Sequence, residues 1–290
     1  MIEGLVVERI SSVRLLRLSR SLLVPAMLIC ARIAAGQDAP PSSAAASGES
    51  DEELAKKLSN PVSSMISVPF QNNFEFGIGE QSGFRWTLNV QPVVPLPLSP
   101  KWNLIVRTIM PVIEQSDVVA GQGSQFGLGD ITQSFFFSPA TGSVIWAVGP
   151  VMYYPSATDP LIGAKKWGAG ATVLVLKQSS AWTNGILANH IWSFADAGGG
   201  TGRPDLSNTF LQPFLAYNTK TATTFSLNTE SSYDWTNRQW TVPVNLFVSQ
   251  LLRFGKQPVS IGLGYKYYAE KPASGPDWGI RFVFTLLLPS

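Results

Sequence analysis

From Ser63 to the C-terminus, apolar side chains recur at every second position in one segment after another, and no helical period competes with them. In FRWTLNVQ, residues 84–91, Phe84, Trp86, Leu88 and Val90 fall on one side, and Arg85, Thr87, Asn89 and Gln91 on the other. Successive side chains of a strand point to opposite faces, so this is a ribbon with one oily and one wet face. Ile66, Val68, Phe70, Phe74 and Phe76 alternate with Ser67, Gln71, Asn73 and Glu75 in the same way. Phe225, Leu227, Tyr233 and Trp235 oppose Ser226, Asn228, Glu230, Ser232 and Asp234. Tyr265 and Tyr267 oppose Lys266, and Ile280, Phe282 and Phe284 oppose Arg281. Less regular candidates lie near 102–113, 126–137, 143–154, 167–177, 182–194 and 208–217. Together they make about twelve strands, at the roughly 10-residue length that crosses a bilayer when tilted.

Which face looks inward decides the fold class, because a soluble sandwich buries its oily face whereas a membrane barrel turns it to lipid. Only 14% of the chain is charged, against about 25% in soluble domains. The polar faces nevertheless carry Arg85, Arg107, Glu230, Asp234, Lys266 and Arg281 inside otherwise good strands, an interior that would penalise a sandwich heavily. Tryptophans gather at strand ends (Trp86, Trp102, Trp167, Trp182, Trp192, Trp235, Trp240, Trp278), where indoles suit the headgroup level of a membrane. Longer polar connections at 77–83, 114–123, 155–165, 195–207 and 270–277 alternate with tight ones at 96–100, 138–142, 178–181, 218–222 and 254–257, the habit of bacterial outer-membrane barrels. Six prolines within the segments, Pro69, Pro92, Pro111, Pro150, Pro213 and Pro243, predict bulges or strand ends, since each forfeits a ladder hydrogen bond. The expected fold is all-β: a closed antiparallel transmembrane β-barrel of about twelve strands. A secreted sandwich or jelly roll is the competing expectation.

The N-terminus reads as an export signal over 1–36, with Arg9, Arg14, Arg17 and Arg20 ahead of SLLVPAMLICA and small residues before Gln37. The leader is long, so a start codon downstream of Met1 is compatible with it. Cys30, the sole cysteine, falls within it, which leaves no disulfide or cysteine metal site in the exported chain. Without the leader's five arginines and its Glu3 and Glu8, 16 basic residues face 17 acidic ones, and no basic stripe remains for nucleic acid. Residues 37–60 are expected to be a disordered linker containing a possible short helix, DEELAKKL, at 51–58, read as a frayed solvated turn in preference to a plug of the lumen. The barrel is assigned to 61–290.

The runs LSNPVSSMISVPFQNNFEFGIG, WTLNVQPVVPL, FGLGDITQSFFFSP, KWGAGATVLVLKQ and PVSIGLGYKYYAE, with Gly127-Leu128-Gly129-Asp130 the most recognisable small motif, resemble the outer-membrane family named for the MetA pathway of phenol degradation. That family is often labelled simply "transporter" and sometimes mislabelled neuromedin U. The resemblance covers 57–290 and implies a bacterial outer-membrane barrel passing small organic molecules, hydrophobic or aromatic ones among them. One departure is the ending Leu288-Pro289-Ser290, where barrel chains commonly finish on an aromatic residue read by the assembly machinery.

The leading functional expectation is a channel or transporter rather than an enzyme, with periplasmic termini, outer-membrane lipids and the barrel-assembly machinery as partners, and a small-molecule solute. Its lumen-lining candidates are Glu75, Arg85, Asn89, Gln91, Arg107, Asn228, Glu230, Asp234, Lys266 and Arg281. Such a mixed set can line a polar path or lock into ion pairs that obstruct it. A lipid hydrolase on the barrel wall is the alternative, since outer-membrane phospholipase A uses Asn, His and Ser there. The only histidine, His190, lies three positions before Ser193, an odd offset that puts the two on opposite faces, and shares its face with Trp192, which prevents a nucleophile–base contact within the strand. A structural or adhesive barrel without a pore is a third class. No cofactor is expected; Asp159, Asp196 and Asp205 match no calcium-loop spacing, and Gly198–Gly200 fit a loop tip better than a nucleotide motif. Oligomeric state has no signature in the sequence.

Overall fold

The computed structural model describes residues 49–198 and 202–288. The leader, residues 37–48 of the linker, Gly199, Gly200 and Thr201 of the glycine-rich loop, and the terminal Pro289-Ser290 lie outside the described residues. One helix, α1 (Asp51–Leu58), precedes the strands β1 (Ile66–Ile78), β2 (Gly83–Val90), β3 (Val93–Ser99), β4 (Trp102–Ser116), β5 (Ser124–Leu128), β6 (Ile131–Pro139), β7 (Ile145–Tyr154) and β8 (Lys166–Ser179). There follow β9 (Trp182–Asp196), β10 (Ser207–Asn218), β11 (Thr223–Thr229), β12 (Ser231–Asp234), β13 (Gln239–Phe254), β14 (Gln257–Glu270) and β15 (Trp278–Leu288). Every pairing is antiparallel, and β1 pairs with β15 over Ile66–Leu288 to Phe76–Trp278, which closes the sheet. Three staves are interrupted: β2 and β3 both border β4, β5 and β6 both border β4 on its other side, and β11 and β12 both lie between β10 and β13. The result is a closed antiparallel barrel of 12 strands.

The connections 79–82, 117–123, 155–165, 235–238 and 271–277, with the described residues 197–198 and 202–206 that flank β9 and β10, lie at one end, here the loop end. The turns 100–101, 140–144, 180–181, 219–222 and 255–256 lie at the other, where β1 also begins and β15 finishes. The oily face of the opening ribbon points outward. Leu263 is 61% exposed and Leu246 58%, while on the same strands Lys266 and Asn245 are buried. An apolar belt of that extent cannot face water, where each Å² costs roughly 25 cal/mol, but it matches hydrocarbon. Trp102, Trp146 and Trp182 mark the turn end, and Trp167, Trp192, Trp235, Trp240 and Trp278 the loop end, all on the outer face.

All six strand prolines coincide with irregularities of the ladder. Pro92 lies between β2 and β3, Pro69 stands opposite that gap, and Pro243 sits at the bulge of β13. Pro213 faces the break between β11 and β12, and Pro150 lies where the β6–β7 pairing lapses. At Pro111 the carbonyl accepts from Gly129 N at 2.8 Å. There, from Val112–Leu128 to Ile109–Thr132, four steps along the β5–β6 stave face three on β4. The Gly-Leu-Gly-Asp motif is therefore a β-bulge. It aims Asp130 at the 155–165 loop, whose position it fixes by accepting from Tyr153 Oη (2.9 Å), Ala157 N (3.0 Å) and Ala164 N (2.5 Å).

Inside, the turn end is not wet. Val93, Ile105, Phe136, Ala147, Leu174, Leu176 and Leu187 form a buried apolar cluster with Val62. On β8 the outward Val173 and Val175 are exposed and the inward Leu174 and Leu176 buried, so both faces of that strand are greasy. The segment read as linker supplies the other part of this floor. Ser50 and Glu53 form a reciprocal cap that starts α1, with Asp51, Glu52 and Glu53 at its positive end and Lys56 and Lys57 in its last turn. Its Leu54 and Ala55 are buried against Met65, Ala222, Leu251 and Leu287. Gln178 Nε2 donates to Lys56 O (2.8 Å), Ser59 Oγ to Asn218 Oδ1 (3.2 Å) and Arg253 Nε to Asp51 Oδ1 (2.5 Å). The frayed solvated turn expected at 51–58 is thus a docked helix, because its one apolar edge finds the inward leucines of β13 and β15.

Candidate functional site

Cross-strand register brings the predicted lumen residues to common heights: Glu75 opposes Arg85, Gln71 opposes Asn89, and Asn245 opposes Lys266. From these neighbours the chain builds an ionic belt. Glu75 Oε1 accepts from Lys266 Nζ at 2.9 Å and from Tyr268 Oη at 2.5 Å, and the Lys266 ammonium lies 5.5 Å from the Tyr268 ring centre. Arg281 holds Glu230 through two parallel bonds of 2.8 and 2.6 Å, and its Nε donates to Asn73 Oδ1 at 2.8 Å. β13 and β14 separate β12 from β15, so the Arg281–Glu230 fork reaches over two intervening staves. These four charges, Glu75, Lys266, Glu230 and Arg281, have locked into pairs rather than standing free along a path.

Two guanidiniums are treated differently. Arg85 Nε donates to Gln115 Oε1 (2.9 Å), and Gln115 in turn donates to Gln125 (2.8 Å). Arg107 Nη2 donates to Gln91 Oε1 at 2.9 Å. Neither makes an ion pair among the described residues. The belt therefore sets two carboxylates, Glu75 and Glu230, against four cations. A cavity of about 410 Å³ lies alongside it, reached by Arg107, Glu230, Asn89, Gln91 and Asn228, and bounded by Asn60 and Pro61 of the segment that follows α1.

Asp234 is not part of this constellation. It sits at the end of β12 and closes the 235–238 connection by accepting from Thr236 N (2.9 Å) and Asn237 N (3.1 Å). The residues that reading by charge alone passed over are Asn73, Tyr268 and the amide pair Gln115–Gln125. The first two fall on the polar parity of their strands, which is the signal that marks them.

His190 stands on the outer wall beside Trp192, whose ring centre is 4.0 Å away. Nδ1 lies 2.7 Å from Thr209 Oγ1, which also accepts from the Trp235 indole at 2.8 Å; Ser207 Oγ is 3.5 Å from Nε2. Ser193 instead accepts from Leu206 N (2.9 Å) and bonds Asp205 (3.2 Å). A 3.5 Å approach with no carboxylate or amide to orient the ring does not assemble a nucleophile and base. Of the acids weighed for calcium, Asp196 and Asp205 pair with Lys166, and Asp159 accepts from Leu161 N at 2.7 Å.

No protein-family model matches the chain, and no curated protein does. Solved structures do match the fold. The COG4313 outer membrane channel from Pseudomonas putida F1 superposes with a TM-score of 0.61 at 12% identity, over 77% of this chain and 94% of that one. The NanC porin gives 0.50 at 9% identity, over 77% of this chain and 100% of its own. At such identities the likeness speaks for the fold alone, which is that of a porin-like outer-membrane β-barrel.

Proposed function

We propose that the protein is a narrow outer-membrane channel for small organic molecules, exported by the leader at 1–36, with both barrel termini in the periplasm. The observation that carries this reading is the cavity inside a closed barrel, lined by both polar and apolar side chains, between an ionic belt and a floor to which the protein's own N-terminal segment contributes. A purely structural barrel has no need of an internal cavity reached by charged and amide side chains. The COG4313 channel supports the reading by its fold, and the resemblance to the phenol-degradation family supports small, hydrophobic or aromatic solutes. Barrel-assembly machinery and outer-membrane lipids are the partners this implies.

α1 and the residues after it lie at the turn end, on the periplasmic side in this reading, and they narrow the exit. The test is planar-bilayer recording of refolded protein with and without residues 49–60. Discrete conductance steps are expected, larger or more frequent in the truncated form. Silence from both forms, each shown to be folded by heat-modifiable gel mobility, would remove the channel reading.

A further inference from the structure

We infer that the lumen cavity is a binding site for a small carboxylate with an aromatic body, gripped by Arg107. The inference deepens the channel reading by naming its solute class. A guanidinium offers five N–H donors in a planar fork suited to a carboxylate. Arg107 commits one of them, to Gln91, and among the described residues it has no other hydrogen-bond partner and no carboxylate in salt-bridge contact, Glu230 acting on it only at longer range. Gln91 is itself 7% exposed, so the single bond orients the guanidinium without neutralising it. The nearby Glu230 is already held by both nitrogens of the Arg281 fork. An anion entering the cavity thus meets an oriented cation whose competitor is occupied.

The opposite requirement, an apolar shelf, is built by glycine. Phe247 points inward from β13, and a Cβ on Gly262 of β14 would lie 2.2 Å from its Cζ; one on Gly264 would lie 2.8 Å from its Cδ2. These two glycines let the ring lie back against the wall, where it lines the cavity together with Phe210. The alternation Ser260, Gly262, Gly264 on a lumen-facing strand thereby acquires a reason beyond turn or bulge. Amides at Gln71, Asn89, Gln212 and Asn228 line the same cavity. A volume of about 410 Å³ falls in the range of small-ligand sites.

The experiment is calorimetric titration of the refolded full chain in detergent with benzoate, with benzamide (the same shape without the charge) and with acetate (the charge without the ring). Benzoate is expected to bind roughly tenfold or more tightly than either, a difference supplied against benzamide by the charge-assisted hydrogen bond and against acetate by burial of the ring. Arg107→Gln should reduce benzoate to the level of benzamide. Benzoate binding no better than benzamide or acetate, or an unchanged order in Arg107→Gln, overturns the inference. The comparison of ligands on the unaltered protein stands even if that variant does not fold. Conductance without benzoate binding sinks the site and leaves the channel; binding without conductance leaves the site and sinks the channel.

Discussion

The Arg281–Glu230 fork permits a quantitative test of how a barrel lumen stores charge. Both partners are largely withdrawn from solvent, with side-chain exposures of 8% and 21%, and the fork is bidentate. Two unit charges about 4 Å apart at an effective dielectric near 20 attract by about 4 kcal/mol, much of which is offset by desolvation. Removing one partner is a different matter, because it strands the other. Glu230→Gln leaves Arg281 with Asn73, and Arg281→Gln leaves Glu230 to the more distant Lys266 and Arg107. Each single change is expected to cost about 3 kcal/mol, at the low end for a buried pair because the cavity admits water. The double variant replaces the fork by two amides able to bond each other, so it should cost clearly less than the sum, with a coupling of about 2–3 kcal/mol. The assay is reversible urea unfolding in phospholipid vesicles, followed by tryptophan fluorescence. Costs that add to within about 0.5 kcal/mol would show that the two groups do not act as a unit, and the belt would be a drawing rather than an interaction.

Further expectations concern the two ends of the barrel. Leu54→Ala removes the main apolar contact of α1, worth about 2 kcal/mol, and should raise the undocked population roughly thirtyfold; single-channel open probability reads this, and traces identical to wild type would separate docking from conduction. Asp130→Ala leaves Tyr153 Oη, Ala157 N and Ala164 N without their acceptor, so the 155–165 loop should become a preferred site of limited proteolysis in an otherwise intact barrel. An unchanged cleavage pattern would show that the remaining tethers hold that loop, Arg203 donating to Gly163 O and Pro160 O and Thr158 and Ser156 bonded to Leu128, Gly129 and Ile131.

Legibility of the sequence followed the uniformity of the medium on each face. β2 could be read residue by residue because its own residues keep strict parity, Phe84, Trp86, Leu88 and Val90 outward and Arg85, Thr87 and Asn89 inward beside Glu75, Asn73 and Gln71 of β1. β8 could not, since Leu174 and Leu176 look into an apolar floor while Val173 and Val175 look into lipid, which erases the alternation. Parity placed Asp234 on the lumen face, but its height, at the last residue of β12, makes it a turn-closing acceptor. Height is invisible without register. Register also hides the Arg281–Glu230 fork, whose partners are 51 residues apart and meet because the sheet curls across β13 and β14.

The same closure explains how one chain can keep leucines and an ion network inside a single lumen. In a sandwich the two inner faces interdigitate, and a charge on either must find its partner through a packed core. A barrel of 12 strands is wider than the eight-strand case whose side chains fill the interior, so its contents can be layered along the axis instead. At the turn end, α1 and Val62 supply apolar bulk from outside the sheet, and the inward side chains there can be leucine, phenylalanine and alanine. Nearer the loop end no such filler enters among the described residues, and the wall satisfies itself across its own width; long side chains that reach one another, arginine, lysine and glutamate, do so. The cavity falls at the boundary between these two solutions, which is why it presents Phe247 and Phe210 together with Arg107. An amphiphilic preference follows from that position rather than from any single residue. Shifting the boundary, by withdrawing α1, should alter which solutes the lumen favours as well as how fast they pass.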